Sequence, residues 1–243
     1  MELTVLGRSG PFPEPGGACS GYLVTDRQTR IVCDLGSGTL SRLLTKLSLP
    51  QLDAVLLSHL HFDHFSDMLV LQYAMELRMK QNPRQAPLLV YAPATPQLHR
   101  TLLKPEFFDV RPIQHDTATM VGSIQIRFFG VSHPVETYAM ELTGADGKRL
   151  FYTGDTGWMD ELPQYARGAD ALLADTAFPA AMEKGQPLPH MTTAQVCKLA
   201  RQAGVKQLFC THLPGTGQCE ADVQKEIDFP CATVVQELGQ YTI

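Results

Sequence analysis

A short apolar run, Ala54-Val55-Leu56-Leu57, leads directly into Ser58-His59-Leu60-His61-Phe62-Asp63-His64. Four side chains of metal-ligand type within six positions, placed where a buried strand ends, restrict what this chain can become. Such a strand belongs inside a sheet, and its end must open on an edge where loops from other strands converge. His59 and His61 are two apart, so in an extended segment both rings point to one side and can share a cation. Asp63 and His64 come where the chain turns into the next helix; adjacent residues diverge there and can reach a second cation nearby. Imidazole nitrogen with one or two carboxylates suits zinc best, manganese and iron being the other metals such a set accepts. A single histidine reads as a satisfied or exposed side chain, but four ligand types in six positions do not.

Three further positions share this context. His133 follows Ile124–Phe129, Asp155 follows Leu150–Tyr152, and His212 follows Gln207–Cys210. Alone, Asp155 reads as a turn residue or helix cap. The repeated order of strand, then ligand, overturns that reading. Seven side chains with an acidic member exceed the four closed ligands of a structural zinc site.

The remaining strand-like runs are Leu3–Leu6, Gly21–Thr25, Arg30–Cys33, Leu88–Tyr91, Tyr138–Leu142 and Ala171–Ala174, with Asp146-Gly147 as a hairpin turn before Leu150. The spacing predicts helices over Gly38–Leu47, over Ser66–Lys80 with Ser66 as N-cap, and over Thr192–Ala203, stopped by Gly204. In Ser66–Lys80 the methionine and tyrosine stripe is read as core packing. With 243 residues, 44% hydrophobic and 19% charged, the chain can bury a sizeable core. An α/β fold of two sheets with helices on the outer faces fits residues 1–243 as one domain.

The net charge of -5 gives no global attraction to nucleic acid, although a local basic patch is compatible with it. Six scattered cysteines with no C-x-x-C pair read as mostly buried thiols in a reducing compartment. No leader-like segment and no apolar run of spanning length occurs, so the expectation is cytoplasmic, away from membranes.

His59-Leu60-His61-Phe62-Asp63-His64 resembles the H-x-H-x-D-H signature of the metallo-β-lactamase superfamily, and the resemblance runs from Asp34-Leu35-Gly36-Ser37-Gly38 through His212. It implies an αββα sandwich of two mixed β-sheets, with metals at one edge. It further implies that His59, His61 and His133 hold one zinc, that Asp63, His64 and His212 hold the other, and that Asp155 bridges. Asp34 would help to set the loop behind the ligands; a strand-end turn is the equally good reading.

Pro189-His190-Met191-Thr192-Thr193-Ala194 resembles the ribonuclease Z branch of that superfamily, in which a histidine before a Thr-Ala helix cap acts near the leaving group. Ala171-Leu172-Leu173-Ala174-Asp175-Thr176 resembles its acidic motif, with Asp175 in place of the usual Glu, so the carboxylate that orients His190 stands on a shorter arm. Two cations roughly 3.5–4 Å apart can clamp a phosphodiester and supply a hydroxide, while a leaving alkoxide needs a proton that no ligand can give; His190 can give it. Asp63, His190 and Asp175 form the expected catalytic group, Asp63 doubling as a ligand.

Only 21 residues separate His133 from Asp155, where the bacterial enzyme of that branch carries a long tRNA-gripping arm. The chain is therefore more similar to short, armless relatives. The expectation is a two-zinc phosphodiesterase for small or cyclic phosphodiesters, acting as a homodimer. A ribonuclease Z-like endonuclease and a lactonase or thioesterase are the alternatives. His99 and His115 receive no role, and Tyr22, Phe62 and Trp158 are read as packing.

Overall fold

The computed structural model describes residues 1–82, 86–215 and 219–243, with the side chains of Cys219 and Glu220 outside that description. The strands are β1 (Glu2–Gly7), β2 (Gly21–Asp26), β3 (Thr29–Leu35), β4 (Ala54–Leu56), β5 (Leu88–Ala92), β6 (Phe108–Pro112), β7 (Ala118–Val121), β8 (Ile124–Gly130), β9 (Tyr138–Thr143), β10 (Arg149–Tyr152), β11 (Ala171–Asp175), β12 (Gln207–Thr211), β13 (Ala232–Val234) and β14 (Gln240–Thr242). The helices are α1 (Thr39–Lys46), α2 (Phe62–Phe65), α3 (Met68–Gln81), α4 (Gln97–Arg100), α5 (Leu162–Tyr165), α6 (Thr193–Ala203) and α7 (Cys219–Glu226).

Among the described residues, two seven-stranded sheets run in the orders β14-β1-β2-β3-β4-β5-β6 and β13-β12-β11-β10-β9-β8-β7. Both are mixed. Antiparallel pairing joins β14, β1, β2 and β3, and parallel pairing joins β3, β4, β5 and β6. In the second sheet β7 to β10 are antiparallel, and β10 to β13 are parallel. Parallel neighbours need a crossover, and each parallel step carries a helix: α1, then α2 and α3, then α4 on one side, and α5, α6 and α7 on the other.

Alternation along each strand explains the layering. In β3, Ile31 and Cys33 enter the core between the sheets while Val32 packs outward with Leu43 of α1 and Leu71 of α3. In β11, Ala171 and Leu173 face the same central core, and Leu172 and Ala174 face Val196, Leu199 and Ala200 of α6. Strands covered on both faces read as continuous apolar runs. The αββα sandwich expected from the sequence is therefore present.

Local chemistry sets the helix ends. The Thr192 hydroxyl accepts from Gln195 N at 3.2 Å while Thr192 N donates to Gln195 Oε1 at 3.0 Å, a reciprocal cap. Gly204 closes α6 at φ 67°, and Gly147 turns the β9–β10 hairpin at φ 78°. The reading of Ser66 as N-cap is corrected. The helical stretch is split, with α2 before Ser66 and α3 beginning at Met68, and Asp67 Oδ2 accepts from Leu40 N at 2.8 Å. Asp67 thus serves the start of α1, whose own cap residue, Gly38, has no side chain to offer. On α3 the core reading holds at Met68, Leu71 and Met75, which are buried, and is corrected at Tyr73 and Leu77, which are 69% and 60% exposed with Val70 at 56% beside them.

Among the described cysteines, Cys19, Cys33, Cys197 and Cys210 are buried and Cys231 is exposed, all as free thiols. Among the described residues, no helix is long and apolar enough to cross a membrane.

Candidate metal centre

Every ligand-type residue singled out in the sequence follows a strand or opens a helix at one edge of the sandwich. His59 and His61 follow β4, Asp63 and His64 lie in α2, His133 follows β8, Asp155 follows β10, Asp175 ends β11, and His212 follows β12. The structure brings all of them together with His190. Two four-residue groups, His59, His61, His133 with Asp155 and Asp63, His64, His212 with Asp155, each keep their ligand atoms within 4.8 Å of one another. Asp155 belongs to both.

The ring orientations are set from behind. Asp34 accepts from Ser58 N at 2.7 Å, from Ser58 Oγ at 2.7 Å, from His64 Nδ1 at 2.8 Å and from Tyr152 OH at 2.6 Å. Because the Ser58 hydroxyl donates to Asp34, its oxygen accepts from His59 Nδ1 at 3.0 Å. His133 Nδ1 donates to the Pro189 carbonyl at 3.0 Å. His59, His64 and His133 therefore carry hydrogen on Nδ1 and turn their Nε2 atoms toward the site, the arrangement that prepares imidazole for a metal. Asp34 is more than a turn residue.

The inward atoms have no protein partner that explains them. His61 Nδ1 lies 3.0 Å from His59 Nε2 and 3.1 Å from His133 Nε2, so three ring nitrogens converge on one point. His64 Nε2 and Asp155 Oδ1 lie 3.2 Å apart and are buried without a hydrogen-bond partner. Converging lone pairs and orphaned buried polar atoms are costly unless a cation lies among them. The titration tendencies agree. Burial opposes charge on His64 and His212, but the carboxylates of Asp155, Asp34 and Asp63 around the first, and of Asp155 and Asp175 around the second, hold both well above the usual imidazole range. Burial, reinforced by His64, holds His59 well below it. Asp155 stays well below the carboxylate range despite burial, mainly through His212 and His64. The residues fit divalent cations in both groups.

His190 stands beside this cluster. Its Nδ1 donates to Asp175 Oδ2 at 2.7 Å, so the shorter carboxylate does reach. Asp175 is itself held by the N–H groups of Thr156 at 3.1 Å and Ala177 at 3.2 Å. The His190 ring stacks on His212 at 5.0 Å and stands edge-on to His133 at 5.3 Å. Burial pulls its pKa down, but the Asp175 carboxylate outweighs this and raises it. With Nδ1 engaged, Nε2 is the nitrogen left for chemistry.

Some functional contacts had no sequence signal. His99, given no role, donates from Nδ1 to the Leu60 carbonyl at 2.7 Å and so props the turn between His59 and His61. A Cβ on Gly10 would lie 2.0 Å from His212 Nε2, so the loop after β1 can approach His212 only as glycine. Tyr22 is fully buried beneath the site and donates to or accepts from Thr211 Oγ1 at 2.8 Å, and Trp158 packs under Lys198 at 4.0 Å, so both pack as read. Phe62 packs on one face only, stacked on Phe65 at 5.6 Å and tilted against His99 at 4.8 Å, and is 55% exposed on the other, beside the candidate ligands.

Comparison with known proteins gives a consistent set. Residues 29–213 match the family described as a beta-lactamase superfamily domain. The probable metallo-hydrolase YhfI of Bacillus subtilis is 32% identical over 220 residues, covering 89% of this chain and 88% of that protein. A crystal structure of YhfI superposes with a TM-score of 0.91 at 28% identity, covering 99% of this chain and 98% of the other. Ribonuclease Z of Mycobacterium bovis is 28% identical, covering 89% of this chain and 88% of that protein. Human tRNase Z, short form, shares the fold, with a TM-score of 0.79 at 18% identity over 100% of this chain and 99% of the other.

Proposed function

The chain belongs to the beta-lactamase superfamily as a metal-dependent hydrolase, and from that premise we propose that it is a two-metal phosphodiesterase acting on small or cyclic phosphodiesters. The observation that carries this reading is the His190–Asp175 pair at 2.7 Å, which also forms a third group of ligand-type side chains with Asp155 and His212 and so stands directly against the two proposed metal positions. His59, His61 and His133 would hold one ion, Asp63, His64 and His212 the other, and Asp155 both. Zinc is the ion proposed, with manganese or iron as substitutes the same donors accept. When bound, such ions polarise a phosphoryl group and lower the pKa of a water toward ~7.

The chain's own residues do the rest. Asp34, Ser58 and the Pro189 carbonyl keep the imidazoles aimed, so nothing has to reorganise when a substrate arrives. Asp175 fixes the His190 ring and favours its protonated form. As the P–O bond to the leaving group breaks, that oxygen takes the proton from His190 Nε2, and the ring recovers one from solvent. A thioesterase has less use for such a donor, because a thiolate departs more readily than an alkoxide. The exposed Val70, Tyr73 and Leu77 of α3 support pairing with a second copy, beside the exposed Glu76–Lys80 ion pair. The interior layer shared by both sheets supports treating residues 1–243 as one domain.

The test is metal analysis after gentle purification, joined to a turnover panel of bis-aryl phosphate, cyclic nucleotides, precursor tRNA, lactones and thioesters. About two ions per chain, fewer in His59→Ala and Asp155→Ala, with phosphodiesters leading the panel, is the expected result. One ion or none in an active wild type, or lactones or thioesters leading, overturns the reading.

A further inference from the structure

Beside the donor cluster a shallow recess of about 330 Å³ is lined by Ser132, His133, Pro134, Pro187, Leu188 and Pro189. It shares His133 with the ligand groups, and its wall at Pro189 continues directly into His190. Pro134, Pro187 and Pro189 are exposed and Leu188 is half-buried. Apolar surface of this kind does nothing for holding cations, and leaving it wet beside a cluster of polar donors has a cost.

The two loops that form the recess are clasped together. His133 Nδ1 donates to the Pro189 carbonyl at 3.0 Å, and Gly157 N donates to the Ser132 carbonyl at 2.9 Å. A Cβ on Gly157 would lie 2.0 Å from the Leu188 carbonyl oxygen, so the backbones touch there. Proline rings with fixed φ stiffen both sides. The recess is therefore formed before any ligand arrives, and a group entering it loses apolar hydration without ordering the protein.

We propose that this recess is the subsite for the leaving ester group, and that it selects a flat, uncharged aromatic ring on that group. The proposal rests on the phosphodiesterase reading above. The ring class follows from the lining: proline and leucine faces offer contact area, and the Ser132 hydroxyl is the one side-chain polar group apart from His133. Recognition is thus by shape and burial, without reading of a ring's hydrogen-bonding edge. The volume stands at the small end of ligand pockets, typically ~300–1,000 Å³, which suits a single ring system and not a polynucleotide. The assignment to the leaving side follows from His190, since the same loop that walls the recess supplies the proton donor.

The test compares dissociation constants of phenylphosphonate and methylphosphonate on the metal-loaded protein, together with kinetics on bis(4-nitrophenyl) phosphate. Wild type should bind the phenyl compound about tenfold more tightly, the gain expected from burying one face of a ring. In Leu188→Asp and in Pro187→Asp that ratio should fall toward one, and kcat/KM on the aryl diester should fall about tenfold, mostly through KM. A variant that merely disturbs the ligands weakens both phosphonates and leaves the ratio unchanged, so the ratio isolates the recess. No phenyl preference in wild type, or a preference untouched in both variants, overturns the subsite. A phenyl preference that collapses in the variants, on a protein that turns over no diester, overturns the phosphodiesterase reading and with it the leaving-group assignment.

Discussion

Asp34, the last residue but one of β3, has φ 58°, in the left-handed region that aspartate tolerates better than most residues. From there its carboxylate organises Ser58, His64 and Tyr152, contacts that depend on three other segments. Nothing in Asp34-Leu35-Gly36 by itself distinguishes this from a plain turn, because the partners are far away in the chain. The ligands were legible because each is a rare residue type in a repeated position; Gly10 and His99 were not, because a glycine or histidine in a Pro-rich stretch carries no such signal. Gly10 yields a direct test. Gly10→Ala puts a methyl group into His212 Nε2, so metal affinity should drop by about 10- to 100-fold, as when a ligand's support is lost, and competitive chelator titration measures it; an unchanged affinity would show that the loop yields instead. His190 gives another. His190→Ala should keep its metal and lose roughly 10²–10⁴-fold in turnover of poor leaving groups, with a much smaller loss for nitrophenolate, which leaves without a proton. Equal losses on both substrate types would remove His190 from the proton transfer.

At the scale of elements, the ten strands recognised in the sequence are the interior strands of the two sheets, and the four that escaped, β6, β7, β13 and β14, are the four edges. Interior strands are apolar on both faces, as in β4 and β11, or alternate regularly, as in β8, which makes them conspicuous. Edge strands are short and half-exposed, as the exposed Asp109, Arg111 and Met120 show, so their pattern blends into loop composition. The hairpin between β9 and β10 was plain from Asp146-Gly147, but what ties it to the parallel half of its sheet was not. Asp170, just before β11, accepts from Arg149 N at 3.0 Å, from Lys206 Nζ at 2.7 Å and from Lys148 Nζ at 3.3 Å. Burial raises its pKa, yet the Lys206 ammonium, the Arg149 N–H and Lys148 outweigh that and bring it from 3.8 to about 2. A carboxyl depressed on folding adds stability that is complete above its unfolded pKa and fades as pH falls toward the folded one. With Lys206 and Lys148 70% and 42% exposed, solvent screening limits this to about 1 kcal/mol. Asp170→Asn should therefore cost about that much near pH 7, and the gap from wild type should close between pH 4 and pH 2. Urea titrations across that range read it directly; a gap independent of pH would assign the role to the backbone contact alone.

For the whole molecule, both sheets must be complete before the metal centre exists, because one sheet brings His59 and His61 and the other His133, Asp155 and His212. That convergence was legible in kind, since each ligand follows an apolar strand, but the shape around it depends on what fills the intervals between ligands. The 21 residues between His133 and Asp155 are spent on β9, a tight turn and β10. β9 and β10 pair from Arg149 with Thr143 to Tyr152 with Met140, so the hairpin lies in the sheet and projects no arm. Transfer RNA is a polyanion whose affinity comes from many phosphate contacts, and a chain of net charge -5 supplies no general attraction to compensate. Two of the hairpin's cations are already committed, Lys148 to Asp170 and Arg149 to Glu141. Under the proposed function, small and cyclic phosphodiesters would need only the two ions, His190 and a nearby wall. The expected outcome is that at physiological salt a cyclic or aryl diester is turned over at least 10²-fold faster, in kcat/KM, than precursor tRNA, a gap of about 3 kcal/mol in transition-state stabilisation. A second copy of the chain can assemble a basic surface across two subunits, so the ratio is read across protein concentrations that shift the oligomeric state. Efficient cleavage of precursor tRNA at the base of its 3′ trailer would mean that a surface elsewhere on the molecule grips RNA, and the preference for small substrates would be wrong.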